Sequence, residues 1–191
     1  MENLSNSSIN TSAGKADLRR MLIAARRALP AAAKAQADAR IAIHLSHWLA
    51  LNQTHQTRVL GVFLQMPGEP DLAALYAQLH DSGVLLAMPV VLEKNTPLRY
   101  ALWQPGDAVA KDASGTLAPV VRNNFVEPDV VLAPCLGFTA SRLRLGYGGG
   151  YFDRTLAQVP RPLAIGIAYA SAQVEFAASA HDVALDLIIT D

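Results

Sequence analysis

Six short, nearly unbroken apolar runs constrain this chain more than any other feature. They are Arg58–Leu64 (RVLGVFL), Val84–Met88 (VLLAM), Leu98–Trp103 (LRYALW), Asp129–Ala133 (DVVLA), Pro162–Ala168 (PLAIGIA) and Leu185–Thr190 (LDLIIT). Runs this short without a polar alternate face are strands buried on both sides, and Leu98–Trp103 reads as a strand because it alternates. Helical patterns lie between several of them. Asp71–Asp81 reads as a helix stopped by Gly83, and a helix is expected from Tyr151 to Gln158. Strands that alternate with helices imply an α/β fold with a mostly parallel sheet covered on both faces.

Ahead of the first strand the pattern is helical. Lys15, Leu18, Arg19, Leu22 and Ile23 recur at three- and four-residue spacing after Ser12, a candidate N-cap. Leu29-Pro30 ends that helix, because the residue before proline is pushed out of helical conformation. Ala31–Leu51 forms a second helix with Ile41, His44, Leu45 and Trp48 on one face. The polar stretch 1–12 (MENLSNSSINTS) has no apolar segment for export, and we read it as a disordered tail. Residues 13–191 are then expected to make one domain with an N-terminal helical arm. The 191-residue length fits a single domain.

Composition excludes several functions. Lys plus Arg and Asp plus Glu both number 16, so no basic excess suggests a nucleic acid partner. No apolar run reaches the ~18–20 residues that span a bilayer, and a cytoplasmic protein without a membrane partner is expected. Cys135 is the single cysteine, which excludes an intrachain disulfide. It reads as a small apolar core residue.

Chemistry concentrates at Leu143-Arg-Leu-Gly-Tyr-Gly-Gly-Gly-Tyr-Phe-Asp-Arg154. Gly146, Gly148, Gly149 and Gly150 allow positive φ and close backbone approach, and successive amides can form an anion nest. A helix starting directly afterwards adds its positive end, so phosphate binding is the functional reading. The run is neither a Walker A loop nor the dinucleotide fingerprint, since Tyr151 stands where the last glycine of the latter belongs. A plain surface loop is the alternative.

Arg144-Leu-Gly-Tyr-Gly-Gly-Gly-Tyr-Phe-Asp-Arg154 closely resembles the signature of the 5-formyltetrahydrofolate cyclo-ligases, also called methenyltetrahydrofolate synthetases. Further resemblances stand in the family's order. They are Lys15-x-x-Leu-Arg19, Phe63-Leu-Gln-Met-Pro-Gly-Glu-Pro-Asp71, Pro134-Cys-Leu-Gly-Phe138, Ala164-Ile-Gly-Ile-Ala-Tyr169 and His181-Asp-Val-Ala-Leu-Asp186. Two places depart from the pattern. Thr139 stands where the family usually has aspartate, and Gly115-Thr-Leu-Ala-Pro119 replaces a G-x-x-[EQ]-P string.

The resemblance implies a Rossmann-like domain akin to sugar-phosphate isomerases and CoA-transferases. It implies ATP- and Mg²⁺-dependent closure of 5-formyltetrahydrofolate to 5,10-methenyltetrahydrofolate, with these small molecules as partners and a monomeric enzyme. Lys15 and Arg19 would reach the ATP phosphates. Arg144, Leu145, Gly146, Tyr147, Gly148, Gly149, Gly150, Tyr151 and Phe152 would wrap the nucleotide. Tyr147 and Tyr151, with the glycines between them, would also meet the folate, packing on adenine or pterin. Lys15, Arg144 and Asp153 would carry catalysis. Asp153 and Asp182 would hold Mg²⁺. Glu69 would face the pterin beside Leu64 and Met66, and Trp103 is divided between that pocket and the core.

Each residue has a plainer reading. Lys15 and Arg19 suit a solvated helix face, Asp153 suits the first turn of a helix, and Glu69 suits a loop before Pro70. A binding module without turnover, or an ATP-independent enzyme of related α/β fold, would share most of the pattern.

Overall fold

The computed structural model describes residues 14–52 and 58–191. The proposed tail and the Ser12 cap lie outside the described residues. The chain opens with α1 (Lys15–Arg27) and α2 (Ala31–Leu51), followed by β1 (Val59–Gly61), α3 (Ala73–Asp81), β2 (Leu85–Val90) and β3 (Arg99–Trp103). Then come β4 (Val109–Lys111), β5 (Leu117–Pro119), β6 (Phe125–Val126), β7 (Val130–Pro134), β8 (Gly137–Phe138) and β9 (Arg144–Leu145). The last elements are α4 (Tyr151–Leu156), β10 (Leu163–Ile167) and β11 (Leu187–Ile189).

Among the described residues the main sheet has seven strands, in the order β11-β10-β7-β1-β2-β3-β6. The first five are mutually parallel, and β3 runs against both of its neighbours. The mostly parallel α/β architecture expected from the apolar runs is therefore present. Side chains alternate across the sheet plane. Val130 and Leu132 join Leu60, Leu86, Ile165 and Ile167 under α2 and α3. Val131 and Ala133 join Ala87, Tyr100 and Ala164 on the opposite face, where Leu18 and Leu22 of α1 and Leu156 of α4 pack.

Local chemistry explains the boundaries. Pro30 cannot donate a backbone hydrogen bond, so α1 stops before it, and its carbonyl accepts Lys34 N–H at 2.9 Å as α2 begins. Gly83, at φ +93°, turns the chain out of α3 into β2. Strand β1 is shorter than the run 58–64 because pairing with β7 ends at Gly61. Phe63 and Leu64 then leave the sheet toward its carboxyl edge, where they line a cleft. The α1-side face carries small residues, which admits side chains from above. A Cβ on Gly166 would lie 2.6 Å from Leu185 Cδ1 and 2.9 Å from Cys135 Sγ.

That close approach sets an expectation for stability. Gly166→Ala overpacks a buried layer and should destabilise the fold by about 1–3 kcal/mol in urea unfolding. Unchanged stability would mean that Leu185 and Cys135 shift freely.

Candidate active site

The strand order reverses between β1 and β7, so the chain leaves those two ends in opposite directions and opens a crevice. A cleft of about 1390 Å³ lies there, at the carboxyl ends of the parallel strands. Each nearby connection supplies wall. Phe63, Leu64, Met66 and Glu69 follow β1, Val91 follows β2, and the glycine loop follows the β8–β9 hairpin. The segment after β10 adds Phe176, Ser179 and Asp182, and α1 closes the side with Lys15 and Arg19. Every site residue inferred from the sequence lines this cleft except Trp103.

Trp103 follows its core reading. It packs in the layer beneath α2 and α3, and it borders a separate cavity of about 410 Å³. The cause is strand direction. Trp103 ends β3, which is antiparallel, and pairs with Leu86 near the start of β2. That is the sheet edge opposite the cleft, so Leu98, just before β3, reaches the cleft instead.

The glycine loop is held by arginines. Arg19 Nε donates to the carbonyl of Gly146 at 2.8 Å, and its guanidinium lies under Gly148, which sits at φ +102°. An added Cβ on Gly146 would collide with the Arg144 guanidinium. Arg144 packs over the Phe152 ring at 4.9 Å and reaches Asp153 Oδ2 at 3.4 Å. Arg154 closes the far side through Gly149 O at 2.8 Å and Asn95 Oδ1 at 3.2 Å. Gly150, at φ +65°, leads into α4, with Asp153 in the first turn.

The second half of the cleft is built around Glu69, which is 1% exposed. Its carboxylate accepts Met66 N–H at 2.8 Å and the Tyr147 hydroxyl at 2.8 Å. Burial pushes the Glu69 carboxyl above the usual carboxylate range, opposed by those two hydrogen bonds and by Arg26 and Arg144. The same burial and the neighbouring carboxylate push the Tyr147 phenol up, so it stays a protonated donor.

Lys15 and Asp182 meet each other. Lys15 Nζ lies 2.5 Å from Asp182 Oδ2 and 5.1 Å from the centre of the Phe176 ring. Asp182 also accepts Ser179 N–H at 2.8 Å. Burial acts to raise the Asp182 carboxyl, but Lys15 and Ser179 outweigh it and hold the group below its ordinary value. Among the described residues, no three His, Cys, Asp or Glu side chains converge as a metal cage. Magnesium bound with a nucleotide does not need one, since one or two carboxylates plus phosphate oxygens suffice. The Asp153 carboxylate fits that requirement, being partly exposed and lying in the cleft beside the glycine loop. Asp182 would fit only after parting from Lys15.

Two features of the site escaped the sequence reading. Arg26 is buried against Glu69 and Tyr147, and it shares a helix face with Lys15, Arg19 and Leu22 at spacings of four, three and four, a signal that could have found it. The tip of the β4–β5 hairpin brings Asp112, Ser114 and Thr116 to the rim, and no pattern in those residues announces it. The two substituted positions of the family pattern, Thr139 and Ala118, lie off the cleft, although Thr116 of the same string as Ala118 reaches its rim. Thr139 Oγ1 accepts Leu143 N–H at 3.1 Å and closes a turn, while Ala118 is packed with Val90 and Ala101.

Comparison with known proteins shows the family and the fold. The family model for the 5-formyltetrahydrofolate cyclo-ligase family matches residues 11–191, and the chain belongs to that family of enzymes. The 5-formyltetrahydrofolate cyclo-ligase of Mycolicibacterium smegmatis is 29% identical over 195 aligned positions, covering 92% of this chain and 93% of that protein. The Mycoplasma pneumoniae cyclo-ligase is 47% identical over 72 positions, a local match covering 36% of this chain and 44% of the relative. The solved 5,10-methenyltetrahydrofolate synthetase of Mycoplasma pneumoniae superposes with a TM-score of 0.75 at 26% identity, covering 94% of this chain and 99% of that one. The Aquifex aeolicus synthetase shares the fold at a TM-score of 0.75 and 22% identity, covering 92% of this chain and 88% of its own.

The buried Glu69 carboxyl makes a testable contribution to stability. A carboxyl with a folded pKa above its unfolded one favours the folded state while protonated. Stability therefore falls as pH rises from the ordinary glutamate value through the raised folded value. Glu69→Gln should remove that slope, so wild type should lose stability relative to the variant over that interval in denaturant titrations. Parallel curves would overturn the assignment.

Proposed function

We propose that this chain converts 5-formyltetrahydrofolate and ATP into 5,10-methenyltetrahydrofolate, ADP and phosphate within this cleft. Family membership supports the class of reaction. The observation that carries the two-substrate reading is the size and division of the cleft. A volume of about 1390 Å³ exceeds the ~300–1,000 Å³ that suits one ligand. One half offers the glycine-loop backbone with Lys15, Arg19 and Arg144, which is chemistry for phosphates. The other offers a buried carboxylate among Phe63, Leu64 and Met66, which suits a flat apolar heterocycle bearing N–H donors.

The chemistry accounts for the use of ATP. A formamide oxygen is a poor leaving group. Transfer of the γ-phosphoryl group to that oxygen breaks the bond to ADP and gives an imino-phosphate. Folate N10 then attacks the formyl carbon and loses its proton, and phosphate departs with its oxygen as the five-membered ring closes. Phosphoryl transfer asks a protein mainly for positioning and charge stabilisation. Arg19 and Arg144 hold the glycine loop in shape and present positive charge to the phosphates. Lys15 would exchange its contact with Asp182 for a phosphate oxygen. Glu69 would accept N–H donors of the pterin and fix the formyl group toward the nucleotide, and the apolar wall would exclude water. Asp153 would hold Mg²⁺, which supplies neutralising charge on the phosphates.

The test mixes the chain with 5-formyltetrahydrofolate, ATP and Mg²⁺ and follows the ultraviolet absorbance of the methenyl product. Product formation that depends on ATP is expected, and folate binding without turnover would instead make the chain a binding module. Asp153→Ala should lower kcat by roughly 10²-fold, the scale for removing one preorganised electrostatic group, and raise the Mg²⁺ requirement. Near-wild-type rates at low Mg²⁺ would remove Asp153 from the metal role.

A further inference from the structure

Arg26 is the one charged side chain of the last turn of α1 that points into the protein, and it is 6% exposed. Its Nη1 lies 3.4 Å from the Tyr147 hydroxyl and 4.0 Å from Glu69 Oε1. Its Nη2 donates to the carbonyl of Cys135, just beyond β7. The guanidinium also stands 6.0 Å from the centre of the Tyr169 ring, and the Tyr169 hydroxyl is fixed by Asp38 at 2.7 Å. Lys34 holds Asp38 in turn at 2.6 Å. The turn that carries Glu69 is pressed onto the same residue: Gly68, at φ +86°, leaves only 3.3 Å between an added Cβ and Arg26 Cβ.

Stability does not explain this arrangement. A buried charge is expensive to desolvate, and replacing a whole buried ion pair by apolar side chains of similar volume is often neutral or stabilising. The guanidinium is also incompletely satisfied, since Arg26 Nε is buried without a hydrogen-bond partner among the described residues. What the charge does is direct two groups that face the cleft. The Tyr147 hydroxyl accepts from Arg26 and donates to Glu69, so one residue of the nucleotide loop and the carboxylate of the opposite half share a single anchor.

We infer that Arg26 is a positioning residue for the folate half of the cleft, clamping Tyr147 and Glu69 so that the carboxylate is aimed before the substrate arrives. This rests on the function proposed above for the cleft. The other groups facing Glu69 are Arg144 from β9, Tyr76 from α3 and Cys135 beyond β7. Of these only Arg144 is cationic, and it is shared with Asp153. Arg26 is therefore the cation whose loss acts on Glu69 without touching Asp153.

The experiment measures binding of 5-formyltetrahydrofolate to the full chain without nucleotide, in wild type, Arg26→Met and Arg26→Lys. It adds the KM for each substrate and the denaturation midpoint. Methionine fills the space of the arginine stem but leaves the Glu69 carboxylate buried without that cation, so Arg26→Met should lower the midpoint while staying folded at the assay temperature. Its Kd and KM for folate should rise roughly 10- to 100-fold, because a buried carboxylate has lost its charged neighbour, while the KM for ATP stays within about twofold. The acid limb of folate binding should move to higher pH, since Glu69 ionises less readily without the cation. Arg26→Lys should recover part of the loss but not all, because an ammonium lacks the planar fork. Wild-type folate affinity in Arg26→Met, or equal losses for both substrates, overturns the proposal. Should Arg26→Met fail to fold, Arg26→Lys decides, with wild-type folate affinity counting against the clamp. Absence of folate binding by the wild-type chain overturns the function proposed for the cleft, and the role of Arg26 with it.

Discussion

Parallel pairing of β1 with β2 on one side and β7 on the other is the constraint on which the rest of the structure depends. It puts three strands whose side chains are mostly buried at the centre of the sheet and sends their connections out at one edge. Because the chain turns one way after β1 and the other way after β7, the two connections cannot close over the gap between them. The cleft is the result. Glu69 and the glycine loop occupy it because one follows β1 and the other follows the short hairpin beyond β7.

Helix α1 is the second determinant. Leu18 and Leu22 bury the helix against the small-residue face of the sheet, and the same stripe continues into Lys15, Arg19 and Arg26. One rigid element thus delivers cations to the glycine-loop half and to the carboxylate half. The balanced net charge of the chain is compatible with this, because the cations that line the cleft are matched locally by Asp153, Asp182 and Glu69. Function here depends on where the charges converge, not on their sum.

Legibility from sequence was uneven for physical reasons. Helix α2 was read to its final residue because its flanks are explicit, with Pro30 at one end and a polar stretch at the other. Strands β2, β7 and β10 were legible as unbroken apolar runs. The hairpin β4–β5 and the pair β8–β9 were not, since strands of two or three residues carry no period. The glycine loop was legible through composition, and its partner Arg26 was hidden among several arginines of one helix. Trp103 shows the same limit from the other side. Its side chain suited a ligand pocket and a core equally, and the reversed direction of β3 decided between them.

By itself the sequence determined the α/β class, the order of the main elements, the glycine loop and the family signature, because each of these is written in local pattern or in runs of contiguous residues. Tertiary structure alone decided which residues meet. It paired Lys15 with Asp182 across 167 positions of chain and Tyr147 with Glu69 across 78. It placed Arg26 behind that second pair and turned Trp103 away from the cleft. The reason is that strand order and strand direction are set by long-range pairing and burial, and no local window of the chain contains them.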